Sequence, residues 1–336
     1  MTPVFTSMAT KTLQFREALR EAIDEEMARN EDVFIMGEEV ADYNGAYKVT
    51  EGLLDKYGER RVIDTPISEL GFAGIGVGAA MAGLRPIVEF MTWNFAVLAF
   101  DQIVNSSAKM LHMTNGQFGN PIVFRGPTGS AGGLGQQHSQ TFESWMANVP
   151  GLICVTPSVP ADAKGLLKAA IRNDNPVCFF ESEQMYGMKG EVPDEEDYIL
   201  ELGKCHIKHP GEDVTIITFG KIYHQVKKAH EELQKDDISA EVIDLRTLRP
   251  IDYDTIVESI KKTNRCVVVE EAWPQASLSS ELAFQIQRRA FDYLDAPVVR
   301  VTTQDTSLGY ARSFVDEFLP NPERIIKAVR AVMYLD

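Results

Sequence analysis

Apolar positions in the first half of the chain fall into two alternating patterns. Short runs such as VFIMG, PIVEF, PIVFRG, LICVT and VCFFE are mostly apolar without alternation, which is the pattern of strands buried on both faces. Between them lie stretches with helical period, at residues 13–29, in a short segment ending near Tyr57, at 95–113, at 141–147, and through AKGLLKAAIR. Strand and helix in alternation predict a mainly parallel sheet covered on both sides.

From Tyr186 to Gly203 the alternation stops. The segment GMKGEVPDEEDYILELG is acidic, broken by proline and glycine, and predicts a linker with a solvated charged face. A second alternation follows: VTIITFG, a helix through KIYHQVKKAHEELQKD, AEVIDL, a helix through YDTIVESIKKT, CVVVEE, a helix through SLSSELAFQIQRRAFDYL, VVRVT and a closing helix. The expected architecture is therefore α/β, with a parallel-sheet domain at 1–190 and a smaller α/β domain at 191–336. No repeat relates the halves.

The chain's 336 residues suffice for two cores, and 44% hydrophobic with 24% charged residues is ordinary for a globular protein. Its net charge of −16 disfavours nucleic acid and anionic membranes as partners. Four dispersed cysteines without a CxxC pair argue for a reducing compartment and against structural zinc. The start, MTPVFTSMATKTLQF, has neither a signal-peptide nor a transit-peptide pattern and reads as an unprocessed lead, hence cytoplasmic; no apolar run reaches the ~18 residues of a membrane helix.

One stretch demands a chemical explanation. DTPISELGFAGIGVGAAMAGLRP sets Glu69 at the head of a run containing five glycines and four alanines. A carboxylate in an enclosed segment needs a partner or a role. Ser68 could cap a helix there, and a glutamate in the first turn favours the helix dipole by roughly 0.3–1 kcal/mol. GFAGIG has the order GxxGxG, not the GxGxxG of a dinucleotide site. Gly71, Gly74, Gly78 and Ala82 instead form a nearly bare helix face that another helix could approach closely.

Elsewhere, GPTGSAGGLGQQH lacks the Lys-Ser/Thr of a phosphate-binding loop and reads as a mobile active-site loop carrying His138. Glu38 and Glu39 close the first strand at its C-terminal end, where open parallel sheets place ligands. His206 and His209 in HIKH have metal-compatible spacing but no acidic third ligand, and are expected at the surface.

Taken jointly, GEEV with DYNGAYKVT, DTPISELGFAGIGVGAAMAGLRPIVEFMTWNF, FDQIVNSSAK, RGPTG, QHSQTFESW, RTLRPID, VVVEEAWPQ and LDAPVVRVT carry a resemblance across nearly the whole chain. They are similar to the beta subunits of the thiamine-diphosphate-dependent 2-oxo acid dehydrogenases, whose fold is a pyrimidine-binding domain followed by a transketolase C-terminal-like domain. GLRPIVEFMTWNF and RGPTG favour a pyruvate-specific member, with branched-chain 2-oxo acid and acetoin dehydrogenase beta subunits as alternatives; a non-catalytic scaffold chain is the alternative of another class.

The resemblance implies that Glu69 bonds the aminopyrimidine nitrogen and relays the proton whose loss activates the thiazolium carbon. It implies Phe95 stacked on the pyrimidine, with Glu38, Ile67 and Met91 lining the pocket, and His138 orienting substrate and assisting acyl transfer to lipoamide. A potassium ion is implied at Ile122, Ala170, Ile171, Asn173 and Asn175, largely through backbone carbonyls, although Asn173 stands where relatives can have an acidic residue. No GDG motif is present, so magnesium and the diphosphate are expected on a separate alpha subunit in an alpha-two beta-two heterotetramer. The C-terminal domain is expected to dock the dihydrolipoyl acyltransferase core, with Asp295 among the contacts.

Overall fold

The computed structural model describes residues 9–195 and 197–335, so most of the N-terminal lead lies outside it. The chain enters as β1 (Thr10–Gln14) and turns at once into α1 (Phe15–Arg29). Glu17 closes the start of that helix by accepting from the Gln14 amide at 2.7 Å. Phe15, Ala18, Leu19, Ala22, Ile23, Glu26 and Met27 then make one buried face at helical spacing.

Next come β2 (Val33–Gly37), α2 (Leu53–Tyr57), β3 (Val62–Asp64), α3 (Glu69–Met81) and β4 (Arg85–Glu89). The expected long helix at 95–113 is broken into α4 (Trp93–Ala96), a 3-10 turn, a π-type segment at Asp101–Ser107 and α5 (Met110–Met113). Ser107 and Asn120 share a 2.5 Å hydrogen bond, and Asn120 donates to Val77 O at 3.1 Å, which draws this segment onto α3. π-type turns recur at functional sites.

Then follow β5 (Val123–Pro127), α6 (Glu143–Ala147), β6 (Ile153–Val155), α7 (Pro160–Arg172), β7 (Val177–Glu181) and β8 (Lys189–Pro193). The second half supplies β9 (His206–His209), β10 (Val214–Thr218), α8 (Tyr223–Lys235), β11 (Ala240–Asp244), β12 (Thr247–Arg249), α9 (Tyr253–Thr263), β13 (Cys266–Val269), α10 (Leu278–Ala290), β14 (Val299–Val301), α11 (Arg312–Phe318) and α12 (Pro322–Val332).

The larger sheet has the order β12-β6-β7-β5-β4-β2-β3 and is parallel except for β12. The smaller has the order β14-β13-β10-β11-β9, with β9 antiparallel. Strands β2, β5, β7, β10 and β11 are buried at all five positions, as two-sided helical cover requires.

Two features link the expected halves of the chain. The segment expected as a linker contains β8, which pairs antiparallel with β1 and so crosses the 190/191 boundary. Strand β12 leaves the second half to close the edge of the first half's sheet beside β6. The two halves are therefore joined by shared backbone hydrogen bonds as well as by sequence. All four cysteines are free thiols, and Cys154 and Cys178 are register partners on β6 and β7.

Candidate active site

The candidate residues gather beyond the C-terminal ends of β2, β3, β4 and β5. Strand β2 ends at Gly37, where a Cβ would stand 2.5 Å from Glu89 O, so only glycine lets β2 and β4 approach so closely. Glu38 follows it. The chain then turns through Glu39 in a left-handed conformation (φ 60°). Asp64, at the end of β3, fixes this turn by accepting from the amides of Ala41 (2.7 Å) and Asp42 (3.1 Å). Thr65 N donates to Gly37 O at 2.9 Å, tying the approach to α3 to the same place.

Glu69 opens α3 and is 5% exposed; Glu38 is 6% exposed. Burial, followed by the charge of Glu69 and a hydrogen bond shared with it, pushes the Glu38 carboxyl up to about 7. Glu38 Oε1 is buried without any hydrogen-bond partner. Two adjacent carboxyl groups with an open, buried acceptor make a site for a group that donates and exchanges a proton. Ser68 stands at the N-cap, but its hydroxyl makes no capping bond, so the helix-cap reading of this segment loses its main support.

Strand β4 leads to Met91, half-buried, and to α4, which Thr92 caps by accepting from Asn94 N. Asn94 Oδ1 accepts from both the amide and the side chain of Gln140 at 3.1 Å, and Gly129 N donates to Gln140 O at 2.8 Å. The neck of the glycine-rich loop is thereby closed and fastened to α4. His138, two residues before Gln140, meets the Phe95 ring edge-on, with centroids 5.1 Å apart and planes at 82°. Ile67 lies just before α3 and is 84% exposed.

The small-residue face of α3 divides differently from expectation. Gly76 is the closely packed glycine, where a Cβ would stand 2.6 Å from Val88 Cγ2. Gly71, Gly78 and Ala82 are exposed, as is Ile75 at 64%. The segment expected to be enclosed on every side is thus covered on its sheet face and bare on the other within this chain.

Across β4, β5 and β7 lies a buried network that reading the sequence missed. Arg125 bonds Glu89 on β4 and, bidentately, Glu181 on β7 at 2.7 and 2.6 Å; Tyr186 OH donates to Glu181 at 2.7 Å. Burial opposes the guanidinium's charge, but Glu181 and Glu89 outweigh it and hold its pKa above the ordinary value. The available signal was a charged residue near the end of three apolar runs, in IVE, VFR and FFE. Glu143 was also missed; burial, then the charges of Glu271 and Glu270, push its carboxyl up to about 8.

Of the potassium positions, Ile122 O accepts from Val177 N, and Ala170 O accepts from Asn173 N. Arg85 Nη1 donates to Ile171 O at 3.1 Å and Asn173 O at 3.2 Å, while Asn173 Oδ1 accepts from Asn175 N at 2.9 Å. A carbonyl oxygen that accepts one hydrogen bond has a second lone pair, and Arg85 already supplies positive charge there. Asp295 is exposed on the second domain and pairs with Arg265 at 3.3 Å, near exposed Phe291. His206 is exposed, and His209 stacks on His230 at 4.4 Å. Among the described residues no three His, Cys, Asp or Glu side chains form a metal cluster, and no helix is long and apolar enough to cross a membrane.

Residues 11–189 match the model of the transketolase pyrimidine-binding domain, and 203–325 that of the transketolase C-terminal domain. The pyruvate dehydrogenase E1 component subunit beta of Rhizobium meliloti is 55% identical over 332 residues, covering 99% of this chain and 72% of that protein. This chain belongs to the pyruvate dehydrogenase E1 beta-subunit family. Its Dictyostelium discoideum relative, a mitochondrial subunit, is 53% identical over 327 residues, 96% of this chain and 92% of the relative. The Rickettsia felis subunit is 52% identical, covering 95% and 98%. A solved split-gene transketolase, an inactive beta4 tetramer, superposes with a TM-score of 0.78 over 96% of this chain and 99% of its own, at 22% identity, which shows the shared fold.

Proposed function

We propose that this family member supplies the pyrimidine half of a thiamine-diphosphate site and, only with a separate alpha subunit, carries out oxidative decarboxylation of pyruvate and acetyl transfer to the lipoyl groups of dihydrolipoyl acetyltransferase. The observation carrying this reading is the buried Glu38–Glu69 pair, with Glu38 Oε1 enclosed and without a partner. Such a pair suits a neutral heterocycle that both donates a hydrogen bond and exchanges a proton. Thiamine diphosphate, when bound, supplies a carbon acid that adds to a 2-oxo group and accepts the electrons left by carbon dioxide.

This chain's residues have the remaining tasks. Glu69 exchanges a proton with the ring nitrogen. Glu38, near half-protonation at neutral pH, brings a proton into the pair, because two adjacent carboxylates resist ionising together. Phe95 stacks against the heterocycle, and Met91 and Ile67 flank it. His138, held edge-on to Phe95, orients the 2-oxo substrate and handles the proton during acyl transfer.

The alpha subunit holds magnesium and the diphosphate, since this chain has no GDG motif. The exposed apolar residues Ile67, Ile75 and Leu98 fit the covered face of an alpha-two beta-two heterotetramer. Potassium is proposed on the carbonyls of Ile122, Ala170, Ile171 and Asn173 with Asn175 beside them, and Asp295 on the surface that docks the acyltransferase core. Free thiols suit a reducing compartment, with the cytoplasm proposed.

The test is Glu69→Gln in the beta chain reconstituted with its alpha subunit. Assembly is expected to persist while proton exchange at the thiazolium carbon slows by roughly 100-fold or more, the scale of general acid–base catalysis. An unchanged exchange rate rejects the role of Glu69. Pyruvate turnover exceeding that of branched-chain 2-oxo acids on the wild-type pair is the expected substrate order.

A further inference from the structure

The loop that carries His138 has little structure of its own. Apart from one turn at Gln136–His138 it forms no helix or strand, and Gly129, Gly133 and Gly135 have φ of 76°, 86° and 83°. Segments of this kind open readily. Yet a group that orients a substrate has to be held to a fraction of an ångström, because a 1 Å error can cost roughly 100-fold in rate. Asn94 fastens the exit of the loop at Gln140, and its entry needs a hold of its own.

Two residues of the second half meet the loop at its base. Glu271, just after β13, accepts from Ser130 N at 2.5 Å. Lys221, in the turn before α8, donates to Ser130 O at 2.8 Å and also to its hydroxyl. Lys221 and Glu271 are themselves paired at 2.8 Å, each side chain 9% exposed, and Ser130 is fully buried. A Cβ on Gly129 would lie 3.0 Å from the carboxylate of Glu271, so this acid packs against bare backbone. At the tip, a Cβ on Gly135 would be 2.4 Å from the Tyr310 ring.

The chemistry suits the loop. A glycine-rich segment offers a partner few side chains, only main-chain N–H and C=O groups. A carboxylate accepts from the first and an ammonium donates to the second, so the ion pair satisfies both polar groups of Ser130 while neutralising itself. Both bonds are enclosed, and removing one member leaves the other charge buried and unpaired.

We propose that Lys221 and Glu271 are positioning residues for acyl transfer: by gripping the main chain of Ser130, the C-terminal domain holds the loop that aims His138. The inference rests on the role given above to His138. It assigns the C-terminal domain a part in the chemistry of a site built from the other domain.

The experiment uses the assembled alpha–beta enzyme with Lys221→Met, Glu271→Gln, Lys221→Arg and His138→Ala in the beta chain. Hydrogen exchange is followed in peptides covering 129–140, and decarboxylation and acyl transfer to a lipoyl group are assayed separately. Lys221→Met and Glu271→Gln are expected to speed exchange in the loop by roughly tenfold or more, the size of losing one charge-assisted bond. Acyl transfer, in which His138 handles the proton, slows by about 10–100-fold; decarboxylation, in which His138 only orients the substrate, slows less, and Lys221→Arg restores both the protection and the transfer rate. Unchanged loop exchange in Lys221→Met, or equal loss in both half-reactions, overturns the proposal. If His138→Ala transfers acyl groups normally, the role of His138 falls instead, and loop exchange still decides whether the grip exists.

Discussion

Glu38 is a site residue whose ionisation burial and a neighbouring acid disturb. Its carboxyl titrates near 7 in the folded chain against an ordinary 4.5, with burial the leading cause. Between those values the folded state keeps a proton that the unfolded chain releases. Its contribution to stability therefore falls as pH rises from about 4.5 to about 7, and the loss persists above that window. Glu38→Gln removes the penalty. Thermal midpoints of the variant and the wild-type beta chain are expected to lie close at pH 5 and to separate, variant higher, at pH 8; an equal offset at both pH values contradicts this account. Glu69, Glu38 and His138 were visible in the sequence because each breaks a local pattern: an acid before a small-residue run, an acid closing a strand, a histidine in a glycine loop. Lys221 and Glu271 were not, since their partner Ser130 lies 91 and 141 residues away.

At the scale of elements, α3 gives the sharpest contrast. Alanine is the better helix former by about 1 kcal/mol, so replacing an exposed glycine stabilises a helix. A Cβ added at Gly78 would meet nothing within 4 Å, whereas one at Gly76 would meet Val88 at 2.6 Å and Ile122 at 3.2 Å. Gly78→Ala is expected to raise the stability of the isolated chain by up to ~1 kcal/mol but to weaken its assembly with the alpha subunit. Gly76→Ala is expected to lower stability by about 1–3 kcal/mol through overpacking. Denaturant midpoints and sedimentation separate the two; equal effects at both positions contradict the division of the helix into a packed and a bare face. The buried strands were legible because two-sided cover leaves unbroken apolar runs. Strands β8 and β12 were not, because each takes its place from a distant partner, β1 and β6, and not from its own pattern.

For the whole molecule, the central claim is that this chain holds half of a cofactor site. The acid pair, Phe95 and His138 face the C-terminal ends of the strands, while exposed apolar residues at Ile67 and along α3 leave that region bare in the single chain. The sheet order, the shared edge at β12 and the grip on the histidine loop bind both domains into one scaffold for it. The most direct measurement is calorimetric titration of thiamine diphosphate, with magnesium, into the beta chain alone and into the beta chain premixed with its alpha subunit, with pyruvate decarboxylation assayed on the same samples. Tight binding and turnover are predicted only for the mixture. Tight binding together with full turnover by the beta chain alone would contradict the account.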